Sequence, residues 1–375
     1  MIKVQPSARR TLDVRVQKVW VRPGEANNLR VRLGPEAQGA RLNLHVLTPF
    51  GVSLQKISIA AATGENRLPI PALKREGGFV AQVTLTKANR LLGAGETVLS
   101  SVQNIADDLR YGFFATFKPN GANYARKAAM LADLHVNAVE FYDYFPAHGY
   151  YAPREENYKF EPFGVALNAL DVARKIEAGH ERNILSLAYV ASYAASESVY
   201  RRHPFPMTDE SGTPKIFNGA IMTESEADRQ HKAKWFWLMD IAQGSPWHKY
   251  ILDEFGRTLD DQPGDLVSFD GFELDTYGDA GDAKFYAPGS ARNGDLLSDV
   301  LHDFVGDVQQ KTRQIKPHGL VSFNSVNEFG AESDSETVPR RYEAGAKGLA
   351  RSDAAPCSGR DDDGSGVTHG GGRTG

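Results

Sequence analysis

The stretch Phe269-Asp-Gly-Phe-Glu-Leu-Asp-Thr-Tyr-Gly278 decides how this chain is read. Apolar and aromatic residues run up to an acidic residue, Asp275, and a glycine follows three positions later. In an α/β barrel a strand delivers its last side chain to the loop face in this way. A second stretch of the same design, Leu320-Val-Ser-Phe-Asn-Ser-Val-Asn-Glu-Phe-Gly330, brings Glu328 to a strand end. Two carboxylates facing one cavity are what glycosidic bond cleavage requires: one ionised to attack or stabilise the anomeric carbon, one protonated to release the leaving oxygen. Taken alone, an acidic residue after a strand also serves as a helix N-cap or a loop solvator.

Outward from these stretches, short apolar strands alternate with helices of period 3.6 from about residue 105, which argues for parallel βα units. The pattern predicts strands at Tyr111–Phe117, Val136–Phe145 and Ile184–Ser192. Helices are predicted near Asn123–Leu134, Ala166–Ala178, His248–Leu259 and Asp295–Ile315. The expected architecture is a (β/α)8-type barrel over 105–338. Glu328 would end its fifth or sixth strand, so the barrel reads as truncated. From Pro339 to Gly375 the text is dominated by Gly, Arg, Asp, Ser and Ala. Such a segment buries too little to offset its ordering entropy, so 339–375 reads as a disordered tail or as out-of-frame text after a frameshift near 338.

Upstream, over 1–104, the apolar period is two. Leu12, Val14 and Val16, then Leu29, Val31 and Leu33, then Phe79, Ala81, Val83 and Leu85 alternate with polar residues between Gly- and Pro-rich turns. An antiparallel β-sandwich is expected there.

The text around both acidic strands resembles glycoside hydrolase family 66, the dextranases and cycloisomaltooligosaccharide glucanotransferases. Gly271, Phe272, Asp275 and Gly278 are similar to its nucleophile strand. Asn324, Asn327, Glu328, Phe329 and Gly330 are similar to its acid/base strand. Arg110–Phe117, Val136–Asp143 and Trp237–Asp240 look like further family strands in the family's order. The resemblance implies an immunoglobulin-like N-terminal domain and a retaining endo-α-1,6-glucanase acting on dextran or isomaltooligosaccharides, with Asp275 as nucleophile and Glu328 as acid/base. It implies no cofactor. The alternatives are a cyclising glucanotransferase, which intercepts the same intermediate with the chain's own hydroxyl, and a truncated, non-catalytic glycan-binding product.

Further candidates surround the pair. Asp143 and Asp240 follow Phe141-Tyr142 and Leu238-Met239, where they could bind substrate hydroxyls or cap a local turn. Glu273 shares a strand face with Asp275 by period two, which predicts either a cationic partner or like-charge repulsion. Tyr142, Tyr144, Tyr150 and Tyr151 form a candidate sugar platform, since flat rings with a polar tip suit pyranose faces. His148, in a loop after the second strand, is a candidate sugar contact or a solvent-facing loop residue. The ten histidines show no metal-ligand spacing.

At 375 residues, with 41% hydrophobic and 24% charged residues, the chain is long enough for two or three cores. A net charge of −4 gives no basic field for phosphates, so nucleic acid is not an expected partner. A glycan asks for no net charge. The single cysteine, Cys357, leaves no intrachain disulfide. No stretch reads as a membrane span, and Met1-Ile-Lys-Val-Gln-Pro6 does not read as a secretion signal, although the family is commonly secreted. Localisation stays open between a cytoplasmic enzyme and one whose true N-terminus lies upstream.

Overall fold

The structure is a computed structural model that describes residues 10–119, 121–218, 234–259, 265–275 and 283–324. Its centre is a parallel sheet of five strands in sequential order: β1 (Tyr111–Phe114), β2 (Ala138–Phe141), β3 (Leu185–Ala191), β4 (Gly271–Asp275) and β5 (Leu320–Phe323). Each strand lies beside its predecessor in the chain, the order that successive βα units generate. Helices α1 (Tyr124–Asp133), α2 (Ala169–His180), α3 (Glu197–Arg202), α4 (Pro246–Leu259) and α5 (Leu297–Ile315) form the connections.

Period two divides the sheet's faces. Phe141, Phe272 and Leu274 are fully buried on the helix side, where Phe272 packs on Phe255 of α4 at 4.7 Å and Phe255 faces Phe304 of α5. Each such aromatic ring contributes roughly 1.5–3 kcal/mol through burial. On the opposite face stand Glu140, Tyr189, Glu273, Asp275 and Ser322, all polar. The pairings Tyr189↔Glu273↔Ser322 and Ala191↔Asp275 put them side by side.

Tight approach is built into β4. A Cβ on Gly271 would lie 1.8 Å from the Leu320 carbonyl oxygen, so only glycine lets β5 approach here.

Residues 10–101 form a five-stranded and a three-stranded sheet, antiparallel apart from the Arg10–Thr11 edge. Leu29, Val31 and Leu68 of the smaller sheet share a core with Leu42, Leu44 and Val83 of the larger one. This two-sheet region meets the parallel sheet at the strands' amino ends. The Val19 amide donates to the Arg182 carbonyl and Asn183 Nδ2 donates to the Trp20 carbonyl, each at 2.9 Å. Arg182 and Asn183 immediately precede β3, and Arg15 pairs with Asp133 at the end of α1.

One expected strand is placed differently. The segment containing Trp237 does not join the parallel sheet. Lys234–Leu238 pairs antiparallel with Ile216–Asn218 and with Ala194–Ala195 in a separate three-stranded sheet. The reason is direct: β3 hydrogen-bonds β4 over five residue pairs, leaving no slot between them. The antiparallel strands Ala194–Ala195, Ile216–Asn218 and Lys234–Leu238 therefore form an excursion from the carboxyl end of β3.

Candidate active site

Asp275 is the last residue of β4 and its carboxylate is held at both oxygens. The Tyr189 hydroxyl, from β3, donates to Oδ2 at 2.8 Å, and Asn324 Nδ2, just past β5, donates to Oδ1 at 2.8 Å. The Ser192 amide donates to the Asp275 carbonyl at 2.8 Å, fixing the backbone where the strand ends. Three neighbouring strands thus converge on one acidic group, at the edge where loop-borne functional groups gather in such sheets. Glu328, with Asn327, Phe329 and Gly330, lies outside the described residues, as do Gly278 and the segment 339–375.

Three more carboxyls share this face. Glu140 of β2 is buried and accepts a hydrogen bond from the Tyr111 hydroxyl. Its pKa is raised from 4.5 to about 7, by burial first and then by the charges of Asp275 and Asp143, against the Tyr111 bond. Glu273 of β4 pairs with the Ser322 hydroxyl and is pushed up to about 8, again by burial first, with the Glu140 and Asp275 charges adding to it. Asp143 is raised to about 6 by burial and by Asp275. Of the two expectations for Glu273, like-charge repulsion is the one found. Among the described residues no Lys or Arg forms an ion pair with Glu140 or Glu273; their neighbours are acids, hydroxyls and rings.

Folding raises both glutamate pKa values, so the folded chain binds these protons more tightly than the unfolded chain does. Their contribution is complete below about pH 4.5 and is lost as pH rises through 7 and 8. Urea midpoints between pH 5 and 8.5 are expected to fall with pH, and the Glu140→Gln/Glu273→Gln double variant is expected to flatten that slope. An unchanged slope would mean that the two acids are not held protonated.

The aromatic candidates divide. Tyr142 is 43% exposed and its ring lies 4.4 Å from that of Tyr189, beside Asp275. Tyr150 is half-buried over Arg154. Tyr144 and Tyr151 are wholly enclosed: Tyr144 packs on Phe269 at 4.6 Å, and Tyr151 packs on Phe145 while its hydroxyl donates to the Ala191 carbonyl. Neither presents a face to a ligand, which corrects their assignment to a sugar platform. The cause is Asp143, whose φ of +52° interrupts the alternation and sends Tyr142 outward and Tyr144 inward.

His148 is likewise buried, in a box of Phe145, Phe160 and Phe236. Burial lowers its pKa to about 3, so it is a neutral core residue, neither solvent-facing nor presented to a sugar. Asp240 follows the antiparallel excursion and accepts the Ala242 amide at 3.0 Å, the loop-capping arrangement. Trp247 is buried, and Trp237 stacks on Tyr200 at 3.8 Å.

Tyr189, Glu140 and Tyr111 escaped the reading of the sequence. Each follows its strand's period, but knowing that β3 and β4 are neighbours requires the tertiary pairing. Among the described residues no group of three or more His, Cys, Asp or Glu is arranged to hold a metal ion, and no helix is long and apolar enough to cross a membrane.

Comparison with known proteins bears on this arrangement. The profile of glycosyl hydrolase family 66 matches residues 38–338. No curated protein sequence matches significantly. Among solved structures, a Paenibacillus sp. cycloisomaltooligosaccharide glucanotransferase complexed with cycloisomaltoheptaose superposes with a TM-score of 0.66 at 18% identity. The match covers 84% of this chain and 45% of that one, so the chain spans less than half the length of that protein. A pullulanase from Anoxybacillus sp. LM18-11 complexed with maltotetraose gives a TM-score of 0.35 at 12% identity, covering 86% of this chain and 50% of the other.

Proposed function

The chain belongs to glycosyl hydrolase family 66, and on that premise we propose that it is a retaining endo-α-1,6-glucanase of the dextranase type, acting on dextran or isomaltooligosaccharides. The observation that carries the proposal is the carboxylate of Asp275, clamped at both oxygens at a strand's carboxyl end beside two glutamates, Glu140 and Glu273, that burial raises to about 7 and about 8. Such a site concentrates negative charge on one oriented group. The linkage and the polymer come from the family resemblance.

In the proposed reaction an Asp275 oxygen forms a bond to the anomeric carbon as the glycosidic C–O bond breaks. The leaving oxygen takes the electron pair and receives a proton from Glu328. Water then loses a proton to Glu328 and attacks the same carbon, and the bond to Asp275 breaks, returning the carboxylate. Retention of this kind requires carboxyls about 5–5.5 Å apart, against roughly 6.5–9.5 Å for inversion. Tyr142 is the proposed sugar-facing ring, and Asp143 the proposed partner for a substrate hydroxyl.

The same proposal takes the sequential parallel sheet as part of a (β/α)8-type barrel over 105–338 that is truncated after its fifth or sixth strand, and the two-sheet region as an immunoglobulin-like domain over 1–104. A cyclising transferase is the second reading, favoured by the glucanotransferase among the similar structures. Incubation with dextran decides between them. Linear isomaltooligosaccharides, released first as the α-anomer in proton NMR, are expected. Cyclic products would give the second reading, and a first-formed β-anomer would overturn retention.

A further inference from the structure

We propose that Tyr189 is a positioning residue that tunes Asp275, and that Tyr142 couples substrate binding to it. This rests on the reading of Asp275 as nucleophile. The geometry is a relay across three strands. Tyr142, just beyond β2, offers an exposed ring. Its inner side meets the Tyr189 ring at 4.4 Å and 36°, and Phe145 stacks parallel to Tyr189 at 6.2 Å. Tyr189 itself is only 6% exposed, so its ring is held between aromatic neighbours and its hydroxyl is aimed at Asp275 Oδ2. A sugar lying on Tyr142 would press on the ring that fixes the reacting carboxylate.

A hydroxyl donating to a carboxylate favours the charged form. It therefore affects the two chemical steps in opposite senses. In the first, Asp275 gives up negative charge as an oxygen bonds to the anomeric carbon, and the Tyr189 bond weakens. In the second, that C–O bond breaks, the electron pair returns to Asp275, and the Tyr189 bond regains its full strength. Tyr189 thus assists release of the sugar from the enzyme more than its capture. Among the described residues, Tyr111 from β1, Glu140, Tyr142 and Asp143 from β2 and its turn, Tyr189 from β3, Glu273 from β4 and Asn324 beyond β5 interact with Asp275, and Ser322 of β5 binds Glu273.

The test is Tyr189→Phe in the full chain, which keeps the ring and removes one hydroxyl. Loss of a hydrogen bond to a charged group predicts a fall in kcat of about 10- to 100-fold, a lower KM as the glycosyl enzyme accumulates, and a pre-steady-state burst. The acid limb of kcat/KM should move up by about one pH unit. Tyr142→Ala should raise KM without moving that limb. A Tyr189→Phe enzyme with kcat within twofold of the parent and an unmoved acid limb would overturn the proposal. Circular dichroism and thermal melting separate a folding defect from this outcome, and Tyr142→Phe should restore the KM lost in Tyr142→Ala. The nucleophile reading fails independently, by activity surviving in Asp275→Asn.

Discussion

Asp275→Asn is expected to reduce dextran cleavage by on the order of 10⁴-fold or more, the scale on which loss of a nucleophile is felt in hydrolases. The amide is nearly isosteric, so the argument isolates charge. Its oxygen still accepts from one of the two donors, Tyr189 or Asn324, while its NH₂ faces the other and cannot accept from it. The fold should therefore persist while covalent capture is lost. Thermal melting of Asp275→Asn within a few degrees of the parent, together with recovery of turnover by added azide on an activated glycoside in the smaller Asp275→Gly variant, would locate the defect in the missing nucleophile. An Asp275→Asn protein that cleaves dextran at the parental rate would remove Asp275 from the reaction.

The second large effect concerns stability. Gly271→Ala is expected to cost about 3 kcal/mol or more. The added methyl would meet the Leu320 carbonyl oxygen at 1.8 Å and its carbon at 2.7 Å, and these are backbone atoms that no rotamer change can clear. Strand β5 must slide or detach, and Asn324 moves with it, so the amide that holds Asp275 Oδ1 is lost too. A lower denaturant midpoint with activity falling in step is the expected result. An unshifted midpoint would show that β4 and β5 do not approach as closely as described.

Much of this architecture is legible in the residues because each strand of the parallel sheet is a short apolar run ending at a turn. The five runs beginning at Tyr111, Ala138, Leu185, Gly271 and Leu320 follow the predicted order, and the helices from Tyr124, Ala169, Pro246 and Leu297 start within three residues of their predicted positions. What the residues hide is pairing. Lys234–Leu238 is as apolar and aromatic as a barrel strand, yet it turns away, because membership of a sheet depends on which neighbour has a free edge. The tyrosines after β2 are hidden for another reason: a single left-handed residue, Asp143, inverts the period on which an inward or outward reading depends. Of the candidate site, Asp275 is where its stretch put it, while the hydroxyl that steadies it comes from a strand 84 residues upstream in sequence number at its Leu187↔Gly271 pairing.

The placement of residues 10–101 has a mechanical consequence. Their hydrogen bonds reach the parallel sheet through Arg182 and Asn183, at the end remote from Asp275. They act as a plinth, stiffening the base and leaving the opposite rim clear of their bulk. On the proposed reading, a polymer laid across that rim meets no stop from residues 10–101 against which a chain terminus would be measured.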